Sequence, residues 1–261
     1  MKYVSAGNSF ALKSEFLETY VDEMVGVINL KDKAFEISTD LYLKKTFFDK
    51  IQQVKLIPEI EVLLITSAES AMGEEKHAQF IKNIFESFDG EKYLFREEHA
   101  LSQFIQLICG IEKMVISCVR GSVVGAFLGA ILATDYRIVS EGTLFSFPHI
   151  RYEMPPQGAL TFFLSKHLGI AKAKKILLSG EPLTAHEAYE LGLIDEIVKE
   201  DNFEQNCLEV VKKMSKVPPS VVGMTKQLLK CDLKGLSAYF EMEAKMATKY
   251  RIKMPSENKT E

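Results

Sequence analysis

Hydrophobic positions fall into two kinds of segment between residues 23 and 200. Short runs rich in β-branched residues, bounded by glycine or polar positions, are typical of β-strands. Longer segments repeat their apolar residues at helical spacing. The runs that predict strands are residues 23–30, 61–66, 114–119, 136–139 and 144–147, and those that predict helices include residues 39–54 and 77–88. This alternation of strands and helices predicts an α/β fold.

Two later helices have ends that can be read from the sequence. Residues 157–168 are followed by Gly169, which suits the left-handed conformation that often ends a helix. Thr184 is followed three positions later by Glu187, which predicts a capping box at the start of a helix that stops near Gly192.

The pattern changes after residue 200. Residues 202–214, 219–229 and 237–250 predict helices, and no further run predicts a strand. We therefore expect a core over residues 1–200 and a helical oligomerisation region over residues 201–261. The polar residues from 254 onward predict a disordered tail.

The composition limits the kinds of binding partner and the cellular compartment that we expect. The formal charge is −4, from 32 basic and 36 acidic residues. The protein as a whole therefore has no electrostatic attraction for nucleic acid or anionic membranes. The longest apolar run, residues 123–133, is shorter than the roughly 20 residues that span a bilayer. The four cysteines form no CxxC pair, and they predict reduced, buried thiols without a metal. We expect a cytoplasmic protein without nucleic-acid or membrane partners.

Residues 120–135 carry the clearest functional signal. A strand ends near Val119, a loop with Gly121 and Gly125 follows, and an apolar helix begins. The glycines permit a sharp turn and a close backbone approach. Free N–H groups at a buried helix start can bind an anion or stabilise the oxyanion of a thioester enolate. The same spacing also fits simple close packing of a helix on a sheet.

The order of motifs from Gly121 to Ile194 resembles the signature of the crotonase (enoyl-CoA hydratase/isomerase) superfamily. The matching pieces are Arg120-Gly121, Gly125-Ala126, Thr134-Asp135, Phe145 with Pro148-His149, Pro156 with Gly158, and residues 178–188 and 191–194. The resemblance implies a crotonase-like spiral of ββα turns with a C-terminal helical region. It also implies a homotrimer or hexamer and an acyl-CoA thioester as ligand, with CoA as part of the substrate and no separate cofactor.

The resemblance also implies a site in which two main-chain N–H groups hold the thioester oxygen. The second donor corresponds to Ala126, and the first to Met72, with Gly73 as the alternative. The neighbouring positions implied to contact substrate are Gly73, Gly125, Phe127 and Gly129.

The sequence departs from the family at its two hydratase glutamates, because the corresponding positions are Gly129 and His149. A carboxylate pair positions and splits water, so ordinary hydration is not expected. His149 could act as a single acid/base, since imidazole titrates near pH 6.5, or it could only fill the pocket. Glu153 could supply a relocated carboxylate or be a solvated loop residue. His77, in a polar helical segment, is expected at the surface.

These departures leave two classes of function open. The first is an acyl-CoA enzyme that stabilises an enolate and catalyses isomerisation, hydrolysis or decarboxylation in place of hydration. The second is a non-catalytic acyl-CoA-binding or structural subunit.

Overall fold

The computed structural model describes residues 9–229 and 233–249. Its strands are β1 (Leu12–Lys13), β2 (Glu18–Asp22), β3 (Val25–Asn29), β4 (Val62–Thr66), β5 (Met114–Val119), β6 (Ser122–Val124), β7 (Tyr136–Ser140), β8 (Leu144–Ser146), β9 (Leu183–Thr184) and β10 (Glu196–Val198). The larger sheet has the order β1-β2-β3-β4-β5-β7-β10, and it is parallel from β3 onward. A smaller sheet has the order β6-β8-β9.

The helices that follow these strands complete an α/β architecture, as the alternating pattern predicts. In chain order they are α1 (Ala34–Thr39), α2 (Leu41–Leu56), α3 (Glu74–Glu86), α4 (Gly90–Cys109), α5 (Gly125–Leu132), α6 (Leu160–Ser179), α7 (Ala185–Glu190), α8 (Phe203–Met214), α9 (Pro219–Leu229) and α10 (Leu233–Lys249). None of the described helices is long and apolar enough to cross a membrane.

Strand β4 shows why the central strands are continuous apolar runs. Every residue of β4 is buried, because parallel strands are usually covered on both faces. Val62 and Leu64 belong to the core shared with α8 and α9, whereas Leu63 and Ile65 belong to the core shared with α2. The alternation of side chains along a strand thus divides one apolar run between two cores.

Two elements near the N-terminal half differ from the sequence predictions. The run at residues 23–30 is only the second strand of a hairpin, because Glu23 has a left-handed φ of 54° and forms the turn between β2 and β3. Charged residues at both ends of β2 conceal it in the sequence. Helix α4, 20 residues long, was also missed.

The predicted helix ends are largely confirmed. Gly169 breaks α6 with φ 75° and ψ 160°, and Thr184 and Glu187 form the expected capping box before α7. However, α6 begins at Leu160 and not at Gln157, because residues 157–159 form a loop held by other elements. In the C-terminal region α8, α9 and α10 occupy the predicted segments, and the tail from residue 254 lies outside the described residues.

The expectation of reduced thiols is wrong for one pair. Cys118 of β5 and Cys207 of α8 form a disulfide across 89 residues of sequence. Both side chains lie in the core between the sheet and α8, which brings their Cα atoms to 6.6 Å. Cys109 is half-buried, and Cys231 lies outside the described residues.

Candidate functional site

The site is built where the chain leaves β4 and β5. The segment after β4 pairs with β6 through a parallel bridge between Met72 and Val123. The N–H of Val124 donates to the carbonyl oxygen of Met72 at 2.8 Å. Ser70 adds a second hydrogen bond between the two segments, because its hydroxyl oxygen accepts from the Ser122 N–H at 3.1 Å. The two loops are therefore locked side by side.

Glycine is required at two positions in these loops. Gly121 has φ 73°, a conformation that side chains rarely adopt, and it lies directly against Ser70. A Cβ at Gly73 would lie 2.9 Å from the Ser70 carbonyl oxygen and 3.0 Å from the Ser122 Cβ. These contacts explain why glycine occupies positions 73 and 121.

Immediately after the bridge, both segments enter a helix. Gly73 is the N-cap of α3, and Val124 is the N-cap of α5. Neither N-cap residue supplies a side-chain cap. The first N–H groups of a helix lack intrahelical acceptors, and at the start of α3 the Glu74 N–H makes a 3.3 Å bond to the Ser122 hydroxyl. Two helix N-termini with positive partial charge thus stand next to each other, which is an arrangement suited to a developing negative charge.

Gly129 lies on α5 in direct contact with another backbone segment. A Cβ at Gly129 would overlap the carbonyl oxygen of Gly158 and lie 2.9 Å from the Leu160 nitrogen. Gly158, with φ 68°, packs in turn against the carbonyl group of Ala126. The space into which a side chain at position 129 would project from α5 is therefore occupied by main chain.

His149 lies in a single 3₁₀ turn, Pro148–Ile150. It is partly buried, and its Nε2 is 3.1 Å from the carbonyl oxygen of Leu177. Since a carbonyl can only accept, Nε2 carries the proton in the neutral ring and Nδ1 keeps the lone pair. Burial lowers the pKa of His149 below its ordinary value, partly offset by the bond to Leu177, so the neutral form predominates at pH 7.

His77 was expected at the surface but is buried, with 6% of its area exposed. It lies in the first turns of α3, with its ring centroid 5.5 Å from that of Tyr152 and 5.9 Å from that of Phe35. Burial lowers the pKa of His77 to about 4, and the charge of Arg151 adds to the effect. The polar neighbours of His77 in the sequence point outward, which is why composition did not reveal it.

His77 and His149 line one small cavity together with Ala126. Gly125 and Gln157 also line it. Glu153, the alternative acidic residue, is exposed, has a left-handed φ of 51° and does not line this cavity. Among the described residues, no group of three or more metal-ligating side chains is present.

Met72 and Phe127 line a second cavity, which is apolar. Its volume is about 70 Å³, and its walls come mainly from α1, α2, α4 and α5. The polar side chains in the wall bond to other protein groups: Ser117 pairs with Thr134 at 3.0 Å, and Ser38 donates to the Phe35 carbonyl at 2.6 Å. The cavity therefore offers an apolar surface to a ligand.

Carboxylates from two helices hold the loop before α6. Glu98 of α4 accepts from the Gln157 side-chain nitrogen at 2.7 Å. Glu243 of α10 accepts from the N–H groups of Gly158 and Ala159 at 3.0 and 3.1 Å. This loop touches α5 at Gly158, so the C-terminal helix helps to position the site.

Buried glutamates predict an unusual dependence of stability on pH. Burial raises the pKa of Glu97 to about 8 and those of Glu98 and Glu243 to about 7, from 4.5. The folded state therefore binds more protons than the unfolded state between these values, so stability falls as pH rises. Each such group contributes up to about 1.4 kcal/mol per pH unit.

We expect the free energy of unfolding to fall between about pH 7 and pH 8, where histidines with lowered pKa values are mostly neutral in both states and contribute little. Urea unfolding across this range measures it. The Glu97→Gln variant should show a shallower decline. A stability that rises over this range would contradict the assignment.

Comparison with known proteins identifies the family of the chain. The sequence model of the enoyl-CoA hydratase/isomerase family matches residues 25–258. The chain is 29% identical over 130 residues to mouse peroxisomal enoyl-CoA delta isomerase 3. The matched region covers 50% of this chain and 41% of that protein. It is 28% identical over 135 residues to human chromodomain Y-like protein, covering 52% of this chain and 23% of that protein.

The fold has close structural counterparts. The crystal structure of enoyl-CoA hydratase from Bacillus halodurans superposes with a TM-score of 0.74 at 20% identity, covering 89% of this chain and 93% of that chain. At this identity the likeness establishes the fold, which is that of the crotonase superfamily. The chain spans well under two thirds of the two curated relatives named above. Because the family model extends over most of the sequence, the chain belongs to the enoyl-CoA hydratase/isomerase family.

Proposed function

We propose that the protein binds an acyl-CoA thioester and polarises its carbonyl oxygen between main-chain N–H groups at the starts of α3 and α5. The observation that supports this most directly is the Met72–Val123 bridge, which holds the two helix N-termini side by side, neither with a cap from its own N-cap residue. Fixed backbone donors aimed at a developing oxyanion are usually the largest single contribution to such catalysis.

Ala126 is our choice for one donor, because it lies in the first turn of α5 and lines the small cavity. For the other, the geometry favours Glu74 over Met72 and Gly73. The carbonyl of Met72 is engaged with β6, and in a strand the N–H of the same residue points the same way. The Gly73 N–H already donates to Ser70 at 2.8 Å. The Glu74 N–H makes only a long 3.3 Å bond to the Ser122 hydroxyl.

His149 is the proposed acid/base. With Nε2 bonded to Leu177, Nδ1 can accept a proton from the substrate and return it. A single proton carrier suits isomerisation, hydrolysis or decarboxylation better than the addition of water across a double bond. Two relatives of this chain are named enoyl-CoA delta isomerases, which is consistent with this choice. The exposed position of Glu153 makes it the weaker alternative.

The apolar cavity is the proposed site for the acyl chain. Met72 and Phe127, which line it, are next to the helix starts where the thioester oxygen is placed. Burying each methylene of an acyl chain contributes about 0.8 kcal/mol. Affinity should therefore increase from acetyl-CoA to butyryl-CoA until the cavity is filled.

Isothermal titration with acetyl-CoA, butyryl-CoA and acetoacetyl-CoA tests the binding proposal. We expect all three to bind, with butyryl-CoA roughly tenfold tighter than acetyl-CoA from two added methylenes. Free CoA serves as the control for the acyl contribution. Absence of binding of any thioester at millimolar concentration would contradict the proposal.

A second candidate function is a non-catalytic acyl-CoA-binding subunit. The observation that favours it is the main-chain contact at Gly129, which occupies the position of a family carboxylate. In that case thioesters bind but no acyl-CoA is converted. The two candidates are separated by whether any turnover depends on His149.

We also propose a homotrimer or hexamer. Four apolar side chains of α9 are exposed on the single chain, Val221, Met224, Leu228 and Leu229, at 44%, 57%, 88% and 79%. Closed symmetric assemblies commonly bury such faces.

Light scattering tests the assembly. With a chain of 29.5 kDa, we expect a mass of about 88 kDa or twice that value. Replacing Leu228 with glutamate should lower the mass, whereas glutamate at the exposed His99 of α4 should leave it unchanged. A monomer of the unmodified protein at micromolar concentration would contradict the proposal.

A further inference from the structure

The small cavity next to Ala126 has the size and chemistry of a water site. Its volume is about 20 Å³, which is enough for about one water molecule. His77, His149 and Gln157 line it together with the main chain of Ala126. A buried water needs two to four polar partners, and these groups can supply them.

His77 provides independent evidence for a ligand. Its Nδ1 is buried and has no hydrogen-bond partner among the described residues. Solvent water cannot supply a partner freely, because only 6% of the residue is exposed. Buried polar groups in folded proteins are nearly always bonded to protein or to ordered water. The neighbouring rings of Phe35 and Tyr152 contact the imidazole but form no hydrogen bond with this nitrogen.

The other two side chains each keep an acceptor that the hydrogen bonds described above do not use. His149 donates from Nε2 to Leu177, which leaves the Nδ1 lone pair. Gln157 donates from Nε2 to Glu98 at 2.7 Å, which leaves its amide oxygen as an acceptor. The cavity thus contains acceptors for both water hydrogens.

We propose that His77 and His149 hold a water molecule that attacks the thioester, so that the protein hydrolyses an acyl-CoA to a carboxylic acid and free CoA. This inference rests on the proposed acyl-CoA site. The thioester oxygen would lie at the Ala126 N–H, which places the carbonyl carbon beside the same cavity.

The reaction balances with these groups alone. The water oxygen forms a bond to the carbonyl carbon while His149 Nδ1 takes one water proton, and the oxyanion rests on the main-chain N–H groups. The oxyanion then reforms the carbonyl, the carbon–sulfur bond breaks, and the CoA thiolate takes the proton from His149. The products are one carboxylic acid and one thiol, and His149 is neutral again. His77 stays neutral and orients the water.

The pH profile distinguishes the two imidazoles. The charged or titratable groups near His77 are Arg151, its ion-pair partner Glu74 at 2.6 Å, and Tyr152; Glu98 faces the cavity through Gln157. His149 must be neutral to accept a proton, so the rate should fall as pH decreases through a pKa below 6.5. His77, with a pKa of about 4, should not contribute to this decrease in rate.

Hydrolysis of butyryl-CoA in ¹⁸O-labelled water tests the inference with the full-length protein. We expect free CoA and butyrate in equal amounts, with one labelled oxygen in the butyrate. His149→Phe should lower the rate by about 10²- to 10⁴-fold. His77→Phe keeps the ring packing and should lower the rate about tenfold or more, whereas His77→Asn retains a polar group near Nδ1 and should recover part of it. His99→Phe, at an exposed position, is the matched control.

The outcomes separate this inference from the function on which it rests. If butyryl-CoA binds but no CoA is released, hydrolysis is excluded while acyl-CoA binding stands. If butyryl-CoA does not bind, the proposed function fails first. If hydrolysis occurs but His77→Phe retains the full rate, the water is not held by this pair, and the inference is overturned.

Discussion

Replacing Gly129 with alanine is expected to destabilise the protein by on the order of 3 kcal/mol or more. The added methyl group would overlap the carbonyl oxygen of Gly158 and crowd the Leu160 nitrogen. Neither is the end of a flexible side chain, so α5 or the start of α6 must move. Gly158 cannot yield easily, because it already packs against the carbonyl group of Ala126.

Urea unfolding measures this effect. Gly223→Ala in α9 is the matched control, because the nearest atom to its new Cβ would be 3.6 Å away. There the helix propensity of alanine should stabilise the protein by about 0.5–1 kcal/mol. If Gly129→Ala unfolds at the same urea concentration as the unmodified protein, the backbone contact is wrong.

The same contact means that substitution cannot introduce a carboxylate at position 129, where the family resemblance places one of the two hydratase glutamates. A glutamate at Gly129 would carry its side chain from a Cβ that has no space. We expect Gly129→Glu to lose stability at least as strongly as Gly129→Ala and to recover no hydration, even in combination with His149→Glu.

The second large effect concerns crotonyl-CoA, whose hydration by this protein should be very slow. Loss of one catalytic acid/base typically lowers a rate by about 10² to 10⁴. By the family resemblance, Gly129 and His149 stand at the positions of the two hydratase glutamates, so both carboxylates that would position and split water are expected to be absent, and two such losses combine. Relative to a typical turnover of about 10 s⁻¹, we expect a rate of about 10⁻³ s⁻¹ or less.

The loss of crotonyl-CoA absorbance measures this rate directly. The assay must also quantify free CoA, because thioester hydrolysis removes the same absorbance. Formation of 3-hydroxybutyryl-CoA at about 10 s⁻¹ or faster would contradict the account. It would mean that another group, such as Glu153, positions and splits water.

Local signals in the sequence predicted much of the fold. The capping box at Thr184 and Glu187 and the break at Gly169 were both found, because each depends only on residues within one helical turn. The segment that begins at Gly121 revealed the turn into α5 through its glycines. The positions around Gly125 and Ala126 were therefore visible before the structure.

Features that depend on distant parts of the chain were not visible. His77 is buried because α1 and the Pro148–Ile150 turn pack over the first turns of α3, which no local pattern records. The contact between Gly129 and Gly158, and the bond from Glu243 to the loop before α6, join segments far apart in sequence. The disulfide between Cys118 and Cys207 likewise depends on how α8 packs on the sheet.

The choice of oxyanion donor shows the same division. The resemblance in the sequence points to Met72, with Gly73 as the alternative, and this stays a prediction. Which N–H group is available depends on the bridge to β6. The Met72 carbonyl accepts from the Val124 N–H, so the Met72 N–H is directed toward β6 as well, and the Gly73 N–H donates to the Ser70 carbonyl. Glu74 becomes our choice for the first oxyanion donor only when the pairing of residue 72 with β6 is known.

The proposed function depends on main-chain N–H groups at the starts of α3 and α5 that hold a thioester oxygen. A crystal structure of the complex with acetoacetyl-CoA would show whether they do. We predict that the thioester oxygen lies about 3 Å from the Ala126 nitrogen and from a nitrogen at the start of α3, most closely that of Glu74. A complex in which the thioester oxygen contacts neither helix start, with the acyl group outside the cavity lined by Met72 and Phe127, would contradict the account.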